Sequence, residues 1–229
     1  MIKGSLSDGI LKALDTKPRL VNKIETSNTE AYKYYLQAIH RYKYRSNKND
    51  DEIALDLINK ALQFDNNFLD AKIHLALIYR NSGELDKAEV MYKEIYKNAD
   101  KYNYNKSLAS SFEGLGIINW IRKKYNKSLE YYNKALETLK ELDDKQKIAH
   151  LYELIGHIYE DKGNVNETIK YWELGKNIYA EIGDEDGIIT FIIHKGLLYD
   201  NNCDYDKAIE YQLDALEREN KLHKIKIPL

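Results

Sequence analysis

Proline is almost missing from this chain: of 229 residues only Pro18 and Pro228 are proline, one near each end. Nothing between them interrupts a helix, and the abundant Lys, Glu, Leu, Ile and Ala favour one. Cysteine occurs once, at Cys203, so no internal disulfide can form and a disulfide scaffold is excluded. No apolar run approaches the roughly 18 residues that a membrane span requires, and the N-terminus shows no apolar signal-peptide core. No membrane insertion is therefore expected, and the chain reads as cytoplasmic. Charge of one sign is also lacking: 35 basic residues face 37 acidic ones, for a formal net charge of -2. Such a balance offers no field to draw in a polyanion, so no nucleic-acid partner is expected. The many Tyr, Asn, Lys and Ile residues are read as coding bias.

What the chain does have is a repeat. Gly116, Gly156 and Gly196 fall 40 residues apart. So do Tyr-Asn-Lys-Ser-Leu-Glu-Tyr-Tyr from 125, Val-Asn-Glu-Thr-Ile-Lys-Tyr-Trp from 165 and Tyr-Asp-Lys-Ala-Ile-Glu-Tyr-Gln from 205. Walking back, Leu75 to Tyr79 with Leu85 to Tyr92 adds a unit, and Ile53 to Leu62 with the Tyr-rich stretch Thr29 to Tyr44 adds another. Each unit carries apolar residues at i, i+3, i+4 and i+7 in two stretches separated by an Asn, Asp or Gly turn, the pattern of paired amphipathic helices. Gly83 and Gly163 follow the last periodic residues, where a left-handed C-cap is needed. The reading is an N-terminal helix and linker over 1–28, hairpins over 29–64, 68–98, 107–140, 146–181 and 186–220, and a tail over 221–229.

Units of this kind bury their apolar faces only against their neighbours, and the stack leaves a long concave surface suited to binding. Gly116 and Gly156 stand mid-helix, where glycine costs about 1 kcal/mol relative to alanine. That cost implies a neighbouring helix too close for a side chain. Ala88, Ser128, Thr168 and Ala208 are expected at the matching close contacts on the second helices. Tyr92, Tyr132 and Trp172 are expected to fill the spaces between hairpins.

These residues resemble the tetratricopeptide repeat family, whose first helix carries a large residue, Leu-Gly and Tyr, and whose second carries Ala, an aromatic and Ala. Tyr152, Ile155, Gly156, Tyr159, Thr168, Trp172 and Gly175 supply the pattern in the fourth unit; Phe112, Leu115, Gly116, Ser128, Tyr132 and Ala135 do so in the third, with Asn119 where Tyr is usual. The customary terminal Pro is missing, with Asn66 in its place in the first unit. The resemblance implies an all-α fold, a right-handed α-solenoid with the first helices inside. Residues Ile10 to Leu14 and Thr29 to Ala38 also look like the junction leading into the repeats of bacterial multidomain signalling proteins, among them adenylate-cyclase-like and membrane-bound transcriptional regulators.

By the same resemblance, the first helices line the groove. The family positions give Tyr32, Tyr35, Ile39, Tyr42 and Lys43 in the first unit, Ile73, Leu77, Arg80 and Asn81 in the second, and Glu113, Ile117, Trp120 and Ile121 in the third. The fourth contributes His150, Glu153, His157, Glu160 and Asp161, and the fifth Ile193, Leu197, Asp200 and Asn201. Such a groove is aromatic at one end and acidic at the other. Chaperone-binding members of the family hold a partner's carboxylate with Lys and Asn, whereas the fourth unit here presents carboxylates. The expected partner is a protein or peptide segment with apolar anchors and a basic end.

Catalytic and metal readings are weaker. His150, Glu153 and His157 share a helix face, but i to i+7 spans about 10 Å along the axis, too far for both imidazoles to hold one ion. Gly114-Leu115-Gly116 is mid-helix and lacks the third glycine of a phosphate loop. Asp200, Asp204 and Asp206 lack the glycine and closing Glu of a calcium loop. No catalytic residue, metal or cofactor is therefore expected. The function read from the sequence is a noncatalytic interaction scaffold within a signalling or regulatory protein; the alternative is the regulatory part of a multidomain enzyme such as a nucleotide cyclase.

Overall fold

The computed structural model describes residues 26–226, and among these every regular element is a helix. The order is α1 (Thr29–Lys43), α2 (Lys48–Phe64), α3 (Leu69–Asn81), α4 (Leu85–Tyr102), α5 (Asn105–Ile121), α6 (Tyr125–Glu141), α7 (Lys145–Asp161), α8 (Val165–Ile182), α9 (Glu185–Asn201) and α10 (Tyr205–Lys226). The fold is an all-α repeat solenoid. The N-terminal helix expected within 1–28, and with it Ile10 to Leu14, lies outside the described residues apart from Thr26, Ser27 and Asn28.

The contacts divide the chain into two units, residues 1–71 and 72–229. In the first, the Asn28 side chain caps α1 by accepting from the amides of Glu30 and Ala31. Phe68, Ala71, Ala31 and Ala61 form its core, and Tyr32 and Tyr35 pack on it.

In the second unit the repeat is visible in the backbone itself. Gly83, Lys123, Gly163 and Cys203 all take positive φ, between +57° and +85°, at the same place in four successive turns. Between hairpins, Asn103, Asp143 and Gly183 do the same. Each closes the preceding helix: the Gly163 amide donates to the Glu160 carbonyl at 2.8 Å and the Asn164 amide to Tyr159 at 2.9 Å, leaving fewer orphan carbonyls. Lys123, Asp143 and Cys203 make the same turn without glycine, a conformation that costs an L-residue about 1–2 kcal/mol. The helix that begins at Leu85 extends to Tyr102, four residues past the expected 98, because the stop signal is Asn103 in the left-handed region and not a glycine.

Packing follows from small residues meeting large ones. Ala88, Ser128 and Thr168 are fully buried and Ala208 nearly so, and the Ser128 hydroxyl donates to the Gly116 carbonyl at 2.7 Å. A Cβ on Gly116 would lie 2.3 Å from the Tyr132 ring, and one on Gly156 would lie 2.2 Å from the Trp172 ring. The neighbour at these glycines is therefore an aromatic ring. Tyr132 and Trp172 thus fill space inside their own hairpins, which the sequence did not suggest, and Trp172 also packs against the next hairpin, its ring centre 5.4 Å from that of His194; Tyr92, over Gly114 of the next hairpin, bridges hairpins as expected. One core cluster joins α6 and α7 through Leu136, Leu139, Leu151 and Ile155, and another joins α8 and α9 through Trp172, Tyr179 and Phe191.

Candidate functional site

Three first helices, α5, α7 and α9, meet through their polar and aromatic side chains. Residues 150, 153, 157, 160 and 161 recur at i, i+3 or i+4 along α7, so one stripe of that helix carries them all. The stripe is tied to α5 on one side: Trp120 Nε1 donates to Asp161 Oδ2 at 2.6 Å, the Trp120 ring stacks on His157 at 5.9 Å with planes 10° apart, and His150 Nε2 lies 3.9 Å from Glu113 Oε1. On the other side it is tied to α9, where His194 Nδ1 lies 3.7 Å from Glu153 Oε1 and the His194 ring centre 4.8 Å from that of His157. From below, Trp172 donates its Nε1 to the Glu153 carbonyl at 3.3 Å and meets the His157 ring edge-on.

Glu153 is the centre of this group, with its side chain only 16% exposed. His150 Nδ1 stands 3.3 Å from its Oε2, and His157 Nε2 and His194 Nδ1 stand 3.9 Å and 3.7 Å from its Oε1. Burial works to raise the carboxyl's pKa, but the hydrogen bonds from His150 and His157 outweigh it and bring the value down to about 2. For His157, burial opposes the charge; pairing with Glu153 and with Glu160, whose Oε2 is 3.1 Å from Nδ1, lifts the imidazole to about 9. Bonding to Glu153 raises His150 as well, whereas burial and the neighbouring His157 charge lower His194. At neutral pH the group is thus an imidazolium and a carboxylate beside a neutral imidazole. The Nδ1 atom of that neutral ring is buried and has no hydrogen-bond partner.

Of the residues expected from the sequence, the structure brings together Trp120, His150, Glu153, His157, Glu160 and Asp161. Ile117 is half-buried against the core cluster beneath them. Leu77, Arg80 and Asn81 are on α3, where Arg80 Nε donates to Asn81 Oδ1 at 3.2 Å. Asp200 and Asn201 are exposed at the end of α9. Tyr32, Tyr35 and Tyr42 belong to the first unit: Tyr35 packs on Phe68 with ring centres 4.9 Å apart, and the Arg45 guanidinium lies 4.1 Å from the Tyr42 ring centre. Tyr35 and Trp120 are both half-buried by residues from other elements.

His194 was missed. Forty residues earlier its position is Leu154, which is buried, so the repeat register gives that position no polar role. A titratable residue at an apolar register position was the available signal.

Residues 67–141 and 189–222 match models of the tetratricopeptide repeat family. No curated protein matches the chain in sequence. Among solved structures, a signal transduction ATPase with numerous domains and a tetratricopeptide repeat sensor, from Pyrococcus horikoshii, is similar with a TM-score of 0.73 and 20% identity, over 86% of this chain and 30% of that one. A Rap protein complexed with competence and sporulation factor gives 0.70 and 17%, over 93% and 58%. BtubC (BKLC) from P. vanneervenii gives 0.64 and 19%, over 88% and 92%. At these identities the likeness is one of fold.

Proposed function

We propose that the protein is an interaction module that holds a peptide or protein segment along the first-helix face of α5, α7 and α9. The observation that carries this is the direct contact of Trp120, His150, Glu153, His157, Asp161 and His194 across three successive first helices. Beside them Ile121, Ile193 and Leu197 are 52%, 37% and 48% exposed, apolar anchors with no evident task in the core. Exposed acids at the rim, Asp161 and Asp200, select a basic feature in the partner; Glu153 contributes little to that selection, because its charge is already met by histidines. A role in signalling is supported by two similar folds, a repeat sensor on a signal transduction ATPase and a Rap protein complexed with competence and sporulation factor. The first of these also supports a second reading, the sensor part of a larger protein. Capture of partners on the purified chain, identified by mass spectrometry, should yield one whose affinity falls in Leu197→Asp and Ile121→Asp while helix content is kept. Unchanged affinity in both variants would move the binding surface off this face.

A further inference from the structure

We propose that Glu153, His157 and His194 form a binding site for a divalent transition cation of the zinc class. One ligand atom from each lies within 4.8 Å of the other two, and Glu153 Oε1 is 3.7 Å and 3.9 Å from the two imidazole nitrogens. Around a zinc ion with bonds of about 2.0–2.2 Å, tetrahedral geometry puts ligand atoms roughly 3.4 Å apart, so small side-chain rotations close the shell once the ion displaces the Nε2 proton of His157 to solvent.

The surroundings are those of a built site. His194 Nδ1 is buried without a hydrogen-bond partner. Glu160 Oε2 sits 3.1 Å from the far nitrogen of His157, the carboxylate–histidine pairing that orients a metal-bound imidazole. His150 occupies the second oxygen of Glu153 and leaves Oε1 for the ion. Trp120, Trp172 and Phe191 wall the histidines with aromatic rings. Two imidazoles and one carboxylate suit zinc, nickel or copper over magnesium or calcium. Three protein ligands leave a further coordination position for water or for a side chain brought by a partner. The ligands come from two hairpins, so the ion would also cross-link them. None of this depends on the groove holding a peptide.

The test is titration of the full, metal-free chain with Zn2+ by calorimetry, with visible absorption of added Co2+ reporting the coordination. One equivalent should bind to the parent. Binding should weaken at least about tenfold in His194→Ala and Glu153→Gln, and by about tenfold in Glu160→Gln, which touches only the outer shell. His74→Ala, at a histidine of α3 outside this cluster, should behave as the parent does. Glu153→Gln preserves shape and decides the matter if His194→Ala does not fold. No bound equivalent in the parent, or binding unchanged in Glu153→Gln, would overturn the site.

Discussion

Alanine at two glycines that the repeat makes equivalent should have effects of opposite sign. At Gly156 an added Cβ would sit 2.2 Å from Trp172 Cδ1 and 2.3 Å from Nε1. That ring is 1% exposed and bonded to the Glu153 carbonyl. To reach ordinary contact the ring must withdraw by more than 1 Å into a packed core, an overpacking cost of about 1–3 kcal/mol. The gain in helix propensity returns about 1 kcal/mol, so Gly156→Ala is expected to lose up to about 2 kcal/mol. At Gly196 the fifth unit has Gln212 where the aromatic stood, and the Cβ meets Gln212 Cγ and Tyr211 Cβ at 3.4 Å, an ordinary contact. Only the propensity gain remains, and Gly196→Ala should stabilise by up to about 1 kcal/mol. For a chain of this size that is a shift of roughly 2–4 °C per kcal/mol. Thermal and urea unfolding followed by circular dichroism give the signs, and tryptophan fluorescence in a Trp120→Phe background reports the Trp172 environment. Gly156→Ala melting at or above the parent, or Gly196→Ala melting clearly below it, would refute the packing scheme.

The turns offer a second contrast: Gly163→Ala should destabilise by about 1–2 kcal/mol and Cys203→Gly should not, since both positions hold positive φ; paired melting curves decide it. Hydrogen bonds from Lys93 and then Arg122 hold the Glu89 carboxyl down at about 2 against an ordinary 4.5. A depressed carboxylate adds stability above pH 4.5 that is lost as pH falls toward 2, so Arg122→Gln should show a shallower decline in melting temperature across that window. Burial pushes Tyr179 up to about 12 and Tyr132 higher still, from an ordinary 10. The neutral phenols therefore favour the fold below pH 10 and that contribution fades as pH rises above it. Tyr132→Phe should lessen the alkaline loss and, because the Tyr132 hydroxyl is buried with no hydrogen-bond partner, cost little or no stability at neutral pH; unfolding curves at pH 7 and 11 test both points.

The helical class, the pairing into hairpins and the repeat register were all legible in the chain. A 40-residue period with 3.6-residue apolar spacing repeats the same local physics until only one reading fits, and the scarcity of proline leaves the helices uninterrupted. The α7 stripe of His150, Glu153, His157, Glu160 and Asp161 was legible too, because residues three and four apart on a helix share a face whatever lies beyond it. Where those side chains point for company was not. Periodicity cannot say that Trp120 lies flat on His157, that Tyr35 is half-covered by Phe68, or that Tyr132 and Trp172 turn inward over glycines of their own hairpins. Nor could it supply His194, whose register position is apolar in the preceding unit and whose ring reaches Glu153 only because α9 packs beside α7. A single chain encodes neighbours along a helix directly; neighbours across helices arise from how close the backbones come, and that distance is set by the packed core as a whole.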